Sequence, residues 1–482
     1  MKKLLVAILG IYVPFAFADG NVNATYINSS AFIQDPYISL TSGGGLRSIS
    51  ESQVATQNAA QKLFNDGTWN VYGTAVGQYS GSSALVAPNY GYGANIFGQT
   101  GQLAGFSVGG LFTIQNPWGA TNMNGAYTEV GLFIPSNSEV NMTEAFLEYQ
   151  HSNIVQADVG LIGINNSPWL APNYIGNMAA PLATYQGALV NIHPGGGWLI
   201  TALGFNAANL IGENGGFTGR TLYNKSYSVG GVFLPTTKSD TSNGTVALGA
   251  NYSAWNNNYN LRLWGYQFDN YGTLLYGDTS IKFNPVEDLG FSVALQGGTD
   301  NSMTGGSNSN AFSNPADQLQ PTGQISSSFA GVQGGLTYKW LGVNLAYNTI
   351  WANQNNSWGG GAIISPYSYG AATDPLYSTP YMMGLVDMGT GGSAYKISVP
   401  LTFLSGNMTI SPAFTQFYTN PNSPFYGTKE YDLTVNYSVP QVKGLNLFAA
   451  YAYQSVPFAS QGSGDGLPGS SYVTQLFVSY LY

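Results

Sequence analysis

The sequence predicts an all-β protein, a transmembrane antiparallel β-barrel of about 18 strands with long outer loops folding into its lumen. Three observations predict it. The final stretch, Tyr472–Tyr482, alternates with period two and ends on an aromatic residue. Only 7% of the 482 residues are charged, whereas a soluble surface is normally about a quarter or more charged. After the N-terminus no apolar run approaches the ~20 residues that a membrane-spanning helix needs.

The chain opens with Met1-Lys-Lys3, an apolar stretch Leu4–Phe15 and then Ala16-Phe-Ala18. A basic start, a short apolar core and a small-x-small site predict a signal peptide over residues 1–18, cleaved after Ala18. Residues 19–65 are polar and weakly patterned, and read as an N-terminal periplasmic segment. Within it Ile49, Val54, Ala55, Leu63 and Phe64 mark a short helix. Residues 66–482 are assigned to the barrel. The net charge of -9 argues against nucleic acid as a partner.

In the terminal strand Tyr472, Thr474, Leu476, Val478 and Tyr480 share one face, against Val473, Gln475, Phe477 and Ser479 on the other. In a barrel such a strand pairs with the first and removes both sheet edges. From Trp69 onward strand-like runs alternate with turn clusters. A first count gives about twenty, and loop parity corrects it. Short turns fall at His151–Asn153, Pro194–Gly197, Asn256–Asn258, Pro285–Asp288, Trp340–Gly342, Leu404–Asn407 and Pro440–Gly444. Between them lie long segments, Ile164–Pro181, Asn206–Gly244, Thr299–Ser328, Ala352–Ser393 and Ser455–Ser471. Two strand-like pieces, Ser226–Leu234 and Pro380–Met388, break the parity and are placed inside outer loops. About 18 strands remain. Val246, Leu248, Ala250 and Tyr252 oppose Thr245, Asn251 and Ser253, and Tyr431, Leu433 and Val435 oppose Asp432, Thr434 and Asn436. Apolar faces suit lipid and polar ones a wet lumen. Tyr338, Trp340, Trp351, Tyr451 and Tyr453 read as interfacial girdles.

Two Pro-stiffened loops are the candidate constriction, Gly163–Pro181 and Gly359–Ser393. Their aromatic residues Trp169, Tyr174, Tyr367, Tyr369 and Tyr377 make a soft, uncharged narrowing in one reading and pack the loops in the other. Asp374 either faces the passage, holding a solute's amine, or sets the turn before Pro375. By strand parity Arg262, Lys282, Lys339 and Lys396 point inward, either as a short cationic track or as plain solvated charges.

In these loops, and loosely over nearly the whole mature chain, the sequence resembles the OprD-type outer-membrane porins. The resemblance rests on Asn166-Ser-Pro-Trp-Leu170 with Pro181-Leu-Ala-Thr-Tyr-Gln-Gly187, on Gly219-Arg-Thr-Leu-Tyr-Asn224, and on Ser365-Pro-Tyr367, Thr373-Asp-Pro-Leu-Tyr-Ser-Thr379 and Gly384-Leu-Val386. It implies a barrel in a bacterial outer membrane whose third and seventh outer loops narrow the channel. It also implies passage of small solutes, often amino acids or other carboxylates, guided by a ladder of lumenal Arg and Lys. The chain departs from that pattern, having only three Arg, Arg47, Arg220 and Arg262. Arg220 is read as a loop brace.

No catalytic constellation appears, since His151 and His193 have no Ser or carboxylate at working spacing. No metal or cofactor motif appears either, with Cys absent. The expected partners are the outer-membrane bilayer and small hydrophilic solutes, with the barrel a monomer or a trimer. The competing reading is a structural or adhesive barrel that binds surfaces through loops such as Thr299–Ser328. A lumen lined by Asn, Gln, Ser, Thr and Tyr is further expected to keep its character across a wide external pH, as an acidic medium would require.

Overall fold

A computed structural model of the chain describes residues 66–82, 86–118, 138–170, 183–210, 227–229, 232–234, 244–269, 272–302, 325–355, 357–363, 374–421, 423, 425–455 and 470–481. The expected signal peptide and N-terminal segment lie outside the described residues. The strands are β1 (Thr68–Ser82), β2 (Val86–Gln99), β3 (Phe106–Pro117), β4 (Glu139–His151), β5 (Val155–Ile162), β6 (Ala183–Gly195) and β7 (Trp198–Leu210). After the small pair β8 (Tyr227–Val229) and β9 (Val232–Leu234) come β10 (Thr245–Ala254), β11 (Tyr259–Phe268), β12 (Gly272–Val286), β13 (Leu289–Ser302), β14 (Ser326–Tyr338) and β15 (Leu341–Ala352). The wall ends with β16 (Gly392–Ser398), β17 (Leu401–Phe403), β18 (Met408–Thr419), β19 (Lys429–Ser438), β20 (Leu445–Ser455) and β21 (Ser470–Leu481).

Nineteen strands share one sheet. β16 and β17 both pair with β15 and β18, so they are two parts of one stave and the barrel has 18. β21 pairs antiparallel with β1 from Tyr72↔Leu481 to Ser82↔Ser471, and no free edge is left. Ser226–Leu234 holds the separate hairpin β8–β9, and Pro380–Met388 contains no strand. Both pieces stand outside the wall, as parity required. At β6–β7 the short turn is made by Gly195, Gly196 and Gly197, with φ of 93°, 61° and 85°, a conformation that glycine enters without steric cost. At Gly244, φ is 114° and a Cβ would stand 1.8 Å from the Phe205 carbonyl oxygen. Only glycine lets β10 meet β7 there.

The outward faces carry exposed Val246, Leu248, Leu275, Leu295, Leu345 and Leu476, while Thr245, Asn251, Gln296 and Gln475 are buried inward. One rim exposes Trp69, Trp198, Trp255, Tyr338 and Trp340, and the other exposes Tyr79, Trp351, Tyr418 and Tyr451. An apolar band between two aromatic rings is a surface built for lipid.

The inner face differs from the expected polar lining. Tyr72, Phe97, Phe146, Tyr276, Phe329, Phe448 and Phe477 also point inward and are buried. They form one cluster with Ile164, Trp169, Leu170, Leu376, Leu385 and Met388 of the outer loops, and a second, around Phe448 and Phe477, against Tyr381. Loops that enter a barrel bring apolar side chains, and the wall must offer apolar partners to keep them from water. The alternation of the strands therefore marks the two faces, but not the polarity of the inner one.

Candidate functional site

The staves alternate short turns with outer connections. The third outer loop, L3, follows β5 and spans 163–182. The seventh, L7, follows β15 and spans 353–391. Both dock on the inner wall.

L3 enters on Ile164-Asn-Asn-Ser167. Asn166 Nδ2 donates to Thr201 Oγ1 on β7 at 2.9 Å. The Ser167 hydroxyl and the Tyr266 hydroxyl on β11 lie 2.8 Å apart, and the Trp169 backbone N–H reaches the same Tyr266 oxygen at 3.4 Å. Trp169, fully buried, sets its ring edge-on to Phe329 and Tyr276, with centroids 5.6 and 6.1 Å away. Three polar anchors thus position one large apolar wedge.

L7 docks at Ala362, whose carbonyl accepts from Ser327 Oγ on β14 at 2.6 Å, and again from Asp374 onward. The Asp374 carboxylate accepts the Leu376 N–H at 2.9 Å and the Val386 N–H at 3.4 Å, so one side chain ties both limbs of the loop. Gly384 is obligatory opposite, since a Cβ would lie 2.1 Å from Asp374 Oδ2. The loop then crosses the wall. The Tyr377 hydroxyl donates to the Leu295 carbonyl on β13 at 3.1 Å. The Ser378 N–H reaches Asn348 on β15 at 2.8 Å, and Lys396 Nζ on β16 donates to the Thr379 carbonyl at 2.7 Å. The backbone N–H groups of Tyr381 and Met382 go to Asp432 and Glu430 on β19. The Tyr381 hydroxyl donates to Gln475 on β21, which in turn donates to Gln78 of β1 at 2.9 Å. L3 thus reaches round to β14, and L7 runs from β13 to the seam where the sheet closes.

The candidate residues divide accordingly. Trp169 and Tyr377 are buried and pack their loops against the inner wall. Asp374 is fully buried and sets a turn, which corrects its pore-facing reading. Tyr174, Tyr367, Tyr369 and Arg220 lie outside the described residues. Of the four cations, Arg262 is locked to Asp278 in a buried ion pair, with Nε to Oδ1 at 3.0 Å and to Oδ2 at 3.1 Å. Lys282 is exposed at the periplasmic end of β12. Lys339 corrects the parity reading, because β14 ends at Tyr338 and Lys339 sits in the turn with φ 54°, 3.8 Å from Asp288. Lys396 points inward but serves L7. No cationic track runs among these four.

Sequence reasoning missed the opposite charge. Glu144, Glu148, Asp158, Asp278, Asp300, Glu430 and Asp432 all lie buried on inward faces. Among the described residues they outnumber the inward Arg262, Lys282 and Lys396. Glu148 and Asp158 stand directly across β4–β5, and Gln99, Ser107 and Gln156 all donate to Glu148. Strand parity carried this signal, because every one of these acids sits at an inward position. It also corrects the expectation of a lumen without titrating groups.

Burial pushes the Asp374 carboxyl up to about 6, against the opposing pull of its two backbone N–H donors. A raised carboxyl favours the docked loop when protonated. That contribution is whole below about pH 4 and is lost as pH rises through about 6. Two units at about 1.4 kcal/mol each bound the effect near 3 kcal/mol. Protease cleavage within L7 is therefore expected to be slower at pH 4 than at pH 7, after correction for the protease's own pH profile. Replacing Asp374 with Asn should remove the difference.

No protein-family model matches the sequence, and no curated protein does. Solved structures do match in fold. The crystal structure of Pseudomonas aeruginosa OpdK with vanillate superposes with a TM-score of 0.62 at 13% identity, covering 87% of this chain and 99% of that one. P. aeruginosa OccK8 (OprE) gives 0.64 at 13%, again over 87% and 99%. OccK2 (OpdF) of the same organism, in complex with glucuronate, gives 0.63 at 12% over the same shares. These neighbours are OprD-type porins with 18-strand barrels, and this chain has their fold.

Proposed function

We propose that the chain is a porin of a bacterial outer membrane, a passive channel for small hydrophilic solutes narrowed by L3 and L7. The observation that carries this reading is the pair of loops bound by side-chain anchors to the inner wall of a closed, lipid-coated barrel. Loops pinned at that depth restrict a passage instead of decorating a surface. The reading assigns no catalytic activity.

The solute class follows from charge. Two of the matched structures hold vanillate or glucuronate, both carboxylates. A carboxylate needs cations along its way. Here Arg262 is matched by Asp278, Lys396 is committed to Thr379, and the inward surplus is acidic. Neutral, zwitterionic and cationic solutes are favoured over simple carboxylates.

Purified protein in planar bilayers is expected to show discrete conductance steps, with reversal potentials in a potassium chloride gradient that favour the cation. An absence of steps would sink the channel. A preference for chloride would sink the charge argument alone.

A further inference from the structure

L7 is pinned to the wall on β13, β15 and β16 at nearly one level. The Tyr377 hydroxyl reaches the Leu295 carbonyl on β13, the Ser378 N–H reaches Asn348 on β15, and Lys396 on β16 reaches the Thr379 carbonyl. In the register of the sheet Leu295 pairs with Val332, Asn348 with Gly331, and Lys396 with Ala346. Ala346 pairs in turn with Gln333. Gln333 of β14 therefore stands at the periplasmic edge of the line along which L7 crosses.

Gln333 has the parity of Ser327 and Phe329, both buried inward, whereas its neighbour Val332 is exposed on the lipid side. Its own side chain is partly exposed. What surrounds it is small. Gly331 and Gly335 are the next inward positions on its stave, and Ala294 and Ala346 face it from β13 and β15. The Asn348 amide lies across Gly331, where a Cβ would collide with it. Among the described residues the Gln333 amide makes no hydrogen bond. Other inward amides show what a structural role looks like. Asn95 accepts from Thr113, Asn191 from Thr201 and Asn436 from Asn446, each pair closed across neighbouring staves. All six of these residues are buried, as closed polar pairs normally are. A long, accessible amide ringed by glycine and alanine projects into the lumen instead.

We propose that Gln333 is the specificity-determining contact of the passage, the group that a solute touches as it clears L7. The proposal rests on the channel reading and deepens it. An amide donates and accepts but carries no charge. It engages hydroxyl, amide and ammonium groups in turn, without the stronger hold of a charge-assisted bond. Side chains that line a narrow place set which solutes pass. A neutral one here lets uncharged and zwitterionic solutes by without a charge barrier.

Charge placed at this one position tests it. In planar bilayers under a potassium chloride gradient, Gln333→Glu is expected to raise the potassium-to-chloride permeability ratio several-fold. Gln333→Lys should lower it several-fold. A side chain that only filled space would not move the ratio in opposite senses. The chain has no Cys, so Gln333→Cys adds a lone thiol. A methanethiosulfonate reagent bearing a trimethylammonium group, added to the conducting channel, should modify it. The thiolate attacks the thiosulfonate sulfur, a mixed disulfide forms and methanesulfinate leaves. The conductance should then fall stepwise. Val332→Cys, next along the stave and facing lipid, should show no fall. The cysteine variants stand in where a charged one does not insert. Permeability ratios unmoved by both Glu and Lys, or a Gln333→Cys channel indifferent to the reagent, would overturn the contact while leaving the channel intact. Native protein without conductance would overturn both.

Discussion

Replacing Trp169 with alanine is expected to release L3 from the wall and to raise the single-channel conductance by roughly two-fold or more, with added flicker. The side chain is fully buried, edge-on to Phe329 and Tyr276. Removing a buried Trp costs about 3–5 kcal/mol. The polar anchors beside it, Asn166 to Thr201 and Ser167 to Tyr266, each contribute about 1 kcal/mol net. Apolar burial therefore outweighs the hydrogen bonds, and the loop should not stay docked on those bonds alone. The wall owes Trp169 little, since its pairing is backbone-to-backbone from β1 to β21. Heat-modifiable migration in a gel should stay that of the native barrel, which separates a freed loop from a failed fold. Trp169→Phe keeps most of the wedge and should keep most of the native conductance. Alanine-variant channels that match the native protein in conductance and noise would show that L3 does not restrict the passage.

The wall was legible in the sequence because a strand reports its two environments at every second residue. Val246 and Leu248 against Thr245 and Asn251 need no partner to be read, and the turns at Pro194–Gly197 and Leu404–Asn407 fix which ends are short. Parity then excludes Ser226–Leu234 and Pro380–Met388 from the wall. The site was legible only in outline. The motif Asn166–Leu170 pointed to the right loop, yet Trp169 lines a passage or fills a gap according to the path of the backbone, which depends on partners such as Phe329, 160 positions on. Tyr381 was passed over because its meaning depends on Gln475 and Phe448, both on staves that return to the same place only when the barrel closes. The inward aromatics escaped for a related reason. Phe448 and Phe477 keep the period of their strands, and nothing local says that a loop will cover them.

Arg262 shows why a count of charges misleads. On parity alone it is a cation available to a solute. In the barrel its guanidinium grips both oxygens of Asp278, and the Tyr276 hydroxyl donates to the same carboxylate at 2.7 Å. The Asp278 side chain has no exposure and that of Arg262 has 11%. Breaking such a pair from one side leaves a buried charge unmet, at a cost of about 3–5 kcal/mol. Arg262→Met is therefore expected to lower the urea midpoint for unfolding from lipid vesicles markedly. Arg262→Met with Asp278→Leu removes both charges at similar volume and should recover most of the loss, because replacing a buried pair by apolar residues is often close to neutral. The same two variants report on permeation. If the pair is closed, the double variant should leave the reversal potential where it was, since the net charge of the wall is unchanged. A double variant as unstable as the single one would mean that packing, not charge, sets the cost. A shift of its reversal potential toward cations would mean that Arg262 acts on passing ions despite its partner.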